Sequence, residues 1–272
     1  MRVGLIQMTS GEDADANLAT TLAGLREAAA GGATFVLTPE VTNILSSSRK
    51  TQEAAISHEE ECDFLSTIQK EAKALGIWVL LGSLAVKTHD PDGRFANRSF
   101  LMSPAGDITA RYDKIHMFDV EIDAQESYRE SAHYRPGTRA VVARTDFAQI
   151  GMTICYDVRF PHLHRALAQA GAKIITVPAA FSPVTGAAHW ESLLRARAIE
   201  TGCFVLAPAQ TGQNAPGRST HGHSLVIAPW GEILADAGKK PGVTLADLDL
   251  DAVKQARGRV PSLTHDRNFE GP

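Results

Sequence analysis

Three residues of different chemistry each follow a run of apolar residues closely: Glu40 closes "TFVLTPE", Lys114 follows "DITARYD", and Cys155 ends "QIGMTIC". Short apolar runs bounded by turn residues read as strands, and open α/β sheets bind ligands at the carboxyl ends of their strands. If these strands are neighbours, a carboxylate, an ammonium and a thiol meet on one rim. A thiol with an ordinary pKa of about 8.5 is a poor nucleophile until it loses its proton. A carboxylate can accept that proton and later activate a water. An ammonium can stabilise the thiolate and then a tetrahedral oxyanion, with the backbone N–H of Tyr156 as a second donor. The sum is acyl transfer from a carbon–nitrogen bond through a thioester. Two plainer readings stand beside this one: Cys155 as a packed strand-end thiol, and Glu40 with Lys114 as an ion pair. Of the other cysteines, Cys62 lies in "EEECD", where carboxylates oppose a thiolate, and Cys203 lies in the apolar run "CFVLA". Cys155 is the best nucleophile by elimination.

The elements that would position the trio alternate along the chain. "RVGLIQM" reads as a strand, followed by a helix over 15–30 that is stopped by Gly31-Gly32. After "TFVLTPE", a Ser57/Glu60 capping box predicts a helix running to Gly76. "WVLLGSLAV", "RSFLMS", "DITARYD", "AVVART" and "QIGMTIC" follow as strands, then a helix near 161–170, "KIITVPAA", a helix over 188–201, and "FVLAPAQ". The segment 210–222 reads as loop; "HSLVIAP", "ILADA" and "VTLADLDL" read as strands before a short helix near 250–257. "SFLMSPAGDITA" (99–110) and "SLVIAPWGEILA" (224–235) repeat one Pro–Gly hairpin pattern. Such hairpins are common, but the echo also fits two similar halves. Crossovers and hairpins on apolar strands then predict α/β architecture: two mixed sheets face to face with helices outside, a four-layer α-β-β-α sandwich. No linker or low-complexity segment divides the chain, so residues 1–272 are expected to form a single domain.

"TPE" with Glu40, "YDKIHMFD" with Lys114 and "CYDVRFP" with Cys155 resemble the three signature segments of the nitrilase superfamily, the carbon–nitrogen hydrolases. The likeness extends through "TGAAHWESLLRARAIET" and "GHSLVIAPWGEILA". It implies Glu40 as general base, Lys114 as oxyanion stabiliser and Cys155 as nucleophile. It further implies a second glutamate at Glu130 in "YRESAHYRPG", ahead of Glu126, placing substrate or water. The α-β-β-α fold, a homodimer and a cofactor-free reaction are implied likewise. Within the superfamily the chain looks most like the deaminated-glutathione amidase branch, then the ω-amidases, which release ammonia from amides of acidic substrates. Tyr156-Asp157 replaces the Trp-Glu of true nitrilases. Thr42 stands where many relatives have an aromatic, which leaves the pocket beside Glu40 open.

An acidic substrate needs a cation. Arg159 and Arg218 are candidates, although Arg159 beside Asp157 also suits an ion pair; Phe181 suits a pocket wall or the core. His221 and His223 lack a third ligand at recognisable spacing, so no metal is expected. His116 beside Lys114 suggests a Cys–His dyad that no flanking sequence supports. The 272 residues carry a net charge of −4, 44% hydrophobic and 21% charged residues, and three cysteines. Those values predict a globular protein of the cytoplasm, with no nucleic acid, no membrane and no disulfide framework; the partner that the resemblance implies is a small-molecule amide. "MRVGLIQMTS" reads as a first strand rather than a signal peptide. An N-carbamoyl amino acid hydrolase is the near alternative, and a catalytically silent binding protein on the same fold is the alternative from another class.

Overall fold

The computed structural model of the chain describes residues 1–122 and 127–271. Two six-stranded mixed sheets form its centre. From edge to edge the first contains Gly242–Asp247, Arg2–Gln7, Phe35–Leu37, Trp78–Val86, Ala96–Met102 and Ile108–Asp113. The second contains Ile233–Asp236, Leu225–Ile227, Phe204–Ala207, Ile174–Thr176, Gln149–Met152 and Val141–Arg144. In each, a parallel trio is flanked by an antiparallel hairpin on one side and a single antiparallel strand on the other. The two Pro–Gly hairpins occupy equivalent places, each added to the third parallel strand of its sheet. The echo in the sequence is therefore an echo of topology.

Side chains sort by the two-residue period of a strand. In the first sheet Val3, Leu5, Phe35, Leu37, Trp78 and Leu80 face inward and share one core with Ile150, Met152, Ile174 and Phe204 of the second. Their neighbours Ile6, Val36, Val79 and Leu81 face outward, against Leu25 and Ala28 of helix Ala14–Ala30 and Leu65 and Ile68 of helix Asp63–Leu75. On the outer side of the second sheet, Gly151 lies against Leu167 of helix Pro161–Gln169. Helix, sheet, sheet and helix are thus the four layers that the sequence predicts.

Three local expectations differ. The helix placed at Ser57 begins at Asp63, because the Ser57 carbonyl accepts the Lys87 N–H and His58 bridges Lys87, which holds this stretch extended. A helix at Arg49–Ala55, capped by the Ser48 side chain, buries only Gln52 and so leaves no apolar periodicity to read. The segment 210–222 is a polar hairpin, Thr211–Ala215 paired with Arg218–His221, rather than loop.

Strand Trp78–Val86 runs directly beneath the turn that carries Glu40. A Cβ at Gly82 would stand 2.0 Å from the Thr38 carbonyl oxygen and 2.5 Å from both the Pro39 carbonyl oxygen and Pro178 Cβ. Two of these neighbours are backbone, so they cannot yield as a flexible side chain would. Gly82→Ala is expected to cost about 3 kcal/mol, measured as a lowered urea midpoint; an unchanged midpoint would contradict this packing.

Candidate active site

The first-sheet strands Phe35–Leu37 and Ile108–Asp113 run in the same direction and end on the same rim, where the chain delivers Glu40 and Lys114. Strand Gln149–Met152 delivers Cys155 from the second sheet. The sheets are joined there by the Ala180 N–H, which donates to Glu40 Oε2 at 2.8 Å; within the second sheet the Cys155 N–H donates to the Pro178 carbonyl at 2.9 Å. Three described non-glycine residues take the left-handed conformation that side chains disfavour; one is His223, and the other two lie here. They are Val41 (φ 47°), next to Glu40, and Cys155 itself (φ 48°). The Val41 N–H is held by Ser83 Oγ at 2.8 Å.

The Cys155 turn is pinned by Asp157, whose carboxylate is fully buried. It accepts the Ile154 N–H (2.9 Å), the Tyr112 hydroxyl (2.7 Å), the His116 N–H (3.1 Å) and a His116 ring nitrogen (2.7 Å). Tyr112 and His116 flank Lys114 in the chain, so one carboxylate ties the lysine segment to the cysteine turn. His116 is thereby directed to Asp157 and lies flat on Phe160, at 3.5 Å between centroids. Tyr156 follows Cys155 in a 3₁₀ turn, where the first N–H groups have no partner within the turn.

Glu40, Lys114 and Cys155 are 5%, 2% and 7% exposed. Lys114 Nζ donates to Glu40 Oε1 at 2.9 Å and to both oxygens of Glu130 at 2.9 and 2.8 Å. Asn97 Nδ2 reaches Glu40 Oε1 at 2.9 Å and Glu130 Oε1 at 3.3 Å, and the Phe118 N–H donates to Glu130 Oε2 at 2.6 Å. Glu126 lies outside the described residues.

Burial alone would lower the Lys114 pKa, but the charges of Glu130 and Glu40 outweigh it and hold the ammonium well above its ordinary value. Burial would raise Glu40, yet the charge and hydrogen bond of Lys114 win and keep the carboxyl below its ordinary range. Burial, and then the Glu40 charge, push the Cys155 thiol well above its ordinary value, with Lys114 opposing. The resting site therefore holds a protonated thiol beside an ionised carboxylate. Such a pair can move a proton at the moment sulfur attacks.

The cluster opens into a cavity of about 480 Å³, walled by Arg49, Tyr128, Tyr134, Tyr156, Phe181 and Arg218. Arg218 sits over the Tyr128 ring, and its buried Nε has no hydrogen-bond partner. Arg159 does not line the cavity: it contacts His189 Nδ1 at 3.2 Å behind the Tyr156 and Phe181 rings, and Asp157 has other partners. Cys62 and Cys203 are buried away from the site, Cys203 bonding the Ala172 carbonyl. The sequence reading missed Asn97, although a signal existed: Asn97 and Ser99 are polar residues on the inward face of an apolar strand.

His221 stacks on His223, which binds Asp236; burial, and then His223, push His221 down to about 4. Among the described residues one His/Glu group, His58, Glu60 and His89, brings three potential ligand atoms within 4.8 Å. Its imidazoles are parallel to within 2° at 4.2 Å. Their in-plane lone pairs run side by side and do not converge about 2.0 Å from one ion, as zinc-type coordination requires.

A family model described as carbon-nitrogen hydrolase matches residues 2–258. The chain is 38% identical to the deaminated glutathione amidase of Yersinia enterocolitica, over 97% of this chain and 92% of that one. The crystal structure of the C. elegans NitFhit protein superposes with a TM-score of 0.91 at 33% identity, covering 98% of this chain and 65% of that longer one. The amidase from Nesterenkonia sp. AN1, seen with acrylamide added to its active-site cysteine, gives 0.78 at 26% identity, covering 96% of this chain and 98% of that one.

Removing the cation should expose what it holds. Lys114→Met leaves two buried carboxylates without their partner and is expected to cost about 3–5 kcal/mol at pH 7. In the wild type the folded pKa of Glu40 lies below its unfolded value of about 4.3. Its contribution is therefore present above that pH and is lost as pH falls through the lower folded value. In the variant the Glu40 pKa rises, because burial is no longer opposed by Lys114, and protonation relieves it. The gap between the urea midpoints of variant and wild type should narrow from pH 7 to pH 4; a constant gap would contradict the assigned charges.

Proposed function

The chain belongs to the carbon–nitrogen hydrolase family, and from that membership we propose that it is an amidase for a small acidic amide, with Cys155 as its nucleophile. The observation that carries this reading is a buried carboxylate–ammonium–thiol cluster at the floor of a cavity whose wall includes Arg218. A guanidinium in that wall suits a substrate carboxylate, which it can meet with charge-assisted N–H donors. The cavity is of small-molecule size. The deaminated glutathione amidase of Yersinia enterocolitica, which resembles this chain throughout, points to the same class of substrate.

As Sγ attacks the amide carbon, the thiol proton passes to Glu40, a C–S bond forms and the carbonyl electron pair moves onto oxygen. Lys114 and the Tyr156 N–H meet that oxyanion. The C–N bond then breaks, with the proton returning from Glu40 to the departing nitrogen, and ammonia leaves. A water gives its proton to Glu40 and adds to the thioester. Collapse of the second oxyanion breaks the C–S bond, frees the carboxylic product and returns the proton to sulfur. Glu130 holds Lys114 in line and, with the Phe118 N–H, fixes the edge of the substrate site.

We read the chain as a cytoplasmic homo-oligomer; support for self-association comes from Val184 and Ile199, apolar side chains exposed on helix Pro183–Thr201. Ammonia release tests the activity, with deaminated glutathione, α-ketoglutaramate, glutamine, a nitrile and an N-carbamoyl amino acid offered to wild type and Cys155→Ser. Expected is release from the first two by wild type and none above background by the variant. Turnover near wild type in Cys155→Ser would remove the nucleophile. Equal rates on acidic and neutral amides, or no rise in KM for the acidic ones in Arg218→Met, would remove the acidic substrate.

A further inference from the structure

We infer that Asn97 is a positioning residue that aims both glutamates. Asn97 lies on strand Ala96–Met102, is 2% exposed, and uses one amide nitrogen to donate to Glu40 Oε1 at 2.9 Å and Glu130 Oε1 at 3.3 Å. Lys114 Nζ donates to the same two oxygens at 2.9 Å each. The four groups close a ring, two acceptors alternating with two donors. The backbone locks its donor corners together, since the Lys114 N–H donates to the Asn97 carbonyl at 3.0 Å.

A second, independent observation concerns the other end of the side chain. Asn97 Oδ1 is buried without a hydrogen-bond partner. Folding an unpaired carbonyl into the interior is unfavourable, and a leucine of similar volume would carry no such burden. The amide therefore earns its place through Nδ2. One ammonium between two carboxylates leaves their mutual repulsion partly uncompensated. A neutral donor to both offsets it without adding charge, and it fixes each carboxylate against rotation.

The inference rests on the reading of Glu40 as the base. The titratable groups that face Glu40 are Lys114, Glu130, Cys155 and Tyr134. Lys114, Cys155 and Tyr134 are all shifted upward, so the acid limb of kcat/KM reports Glu40, the base of this reading. An N–H donor favours the carboxylate and lowers its pKa. Its removal must move the acid limb to higher pH.

The test compares wild type, Asn97→Leu and Asn97→Ser, with Glu40→Gln as control, by kcat and KM across pH on active-site-titrated enzyme. In Asn97→Leu, kcat is expected to fall about 10²-fold with KM nearly unchanged, and the acid limb to rise by roughly half a pH unit or more. Asn97→Ser keeps one donor and should lie between; it also serves if the leucine variant does not fold. An unmoved acid limb in the folded variants overturns the inference, whether kcat is intact or falls only with the folded fraction. If Glu40→Gln is inactive while the Asn97 variants behave as wild type, only the Asn97 role fails. If Glu40→Gln turns over normally, the assignment of the base fails first.

Discussion

One buried ammonium governs this structure. Lys114 is almost completely enclosed and makes hydrogen bonds to two carboxylates from different parts of the chain. Charges are brought out of water at such a cost only when good geometry and further hydrogen bonds compensate. Here the further bonds come from Asn97 and from the backbone of Ala180 and Phe118. The consequence for chemistry is asymmetric. Lys114 keeps Glu40 ionised, while burial and then the Glu40 charge leave the neighbouring thiol protonated against the opposing lysine. A protonated thiol thus rests beside an ionised carboxylate.

Such a cluster needs backbone placed to high accuracy, and two stacked sheets provide it. Each contributes a rim of strand ends; the bond from Ala180 to Glu40 ties the rims together, and that from Cys155 to Pro178 fixes the rim of the second sheet. The strained conformations of Val41 and Cys155 fall at this seam. Residues held in sparsely populated backbone regions persist where their surroundings over-determine them. Behind Cys155 that role belongs to Asp157, which accepts from residues on both sides of Lys114 and from Ile154.

Much of this could be read from the chain alone, for a physical reason. Glu40, Lys114 and Cys155 each follow an apolar strand closely, and a reactive group at a strand end is visible because the pattern around it is regular. The repeated Pro–Gly hairpin likewise betrayed the two equivalent halves. What escaped depends on partners distant in sequence. The helix after Ser57 starts late because Lys87, thirty residues on, holds the segment extended. The hairpin around Pro216 is polar on both faces and shows no alternation. Arg159 has the right charge near the nucleophile, but its direction is set by packing behind Tyr156 and Phe181. Asn97 is one amide in a strand, and nothing local marks it as a bridge between two glutamates.

The account's central claim is that Cys155 rests as a thiol and is activated by proton transfer to Glu40. The most direct measurement is the rate of carbamidomethylation of Cys155 by iodoacetamide at pH 7 in wild type and in Glu40→Gln. Electrostatics alone would speed the variant, because removing a negative charge beside sulfur lowers the thiol pKa. Proton transfer to Glu40 requires the opposite, a slowing of about 10²-fold. An equal or faster rate in Glu40→Gln would contradict the claim.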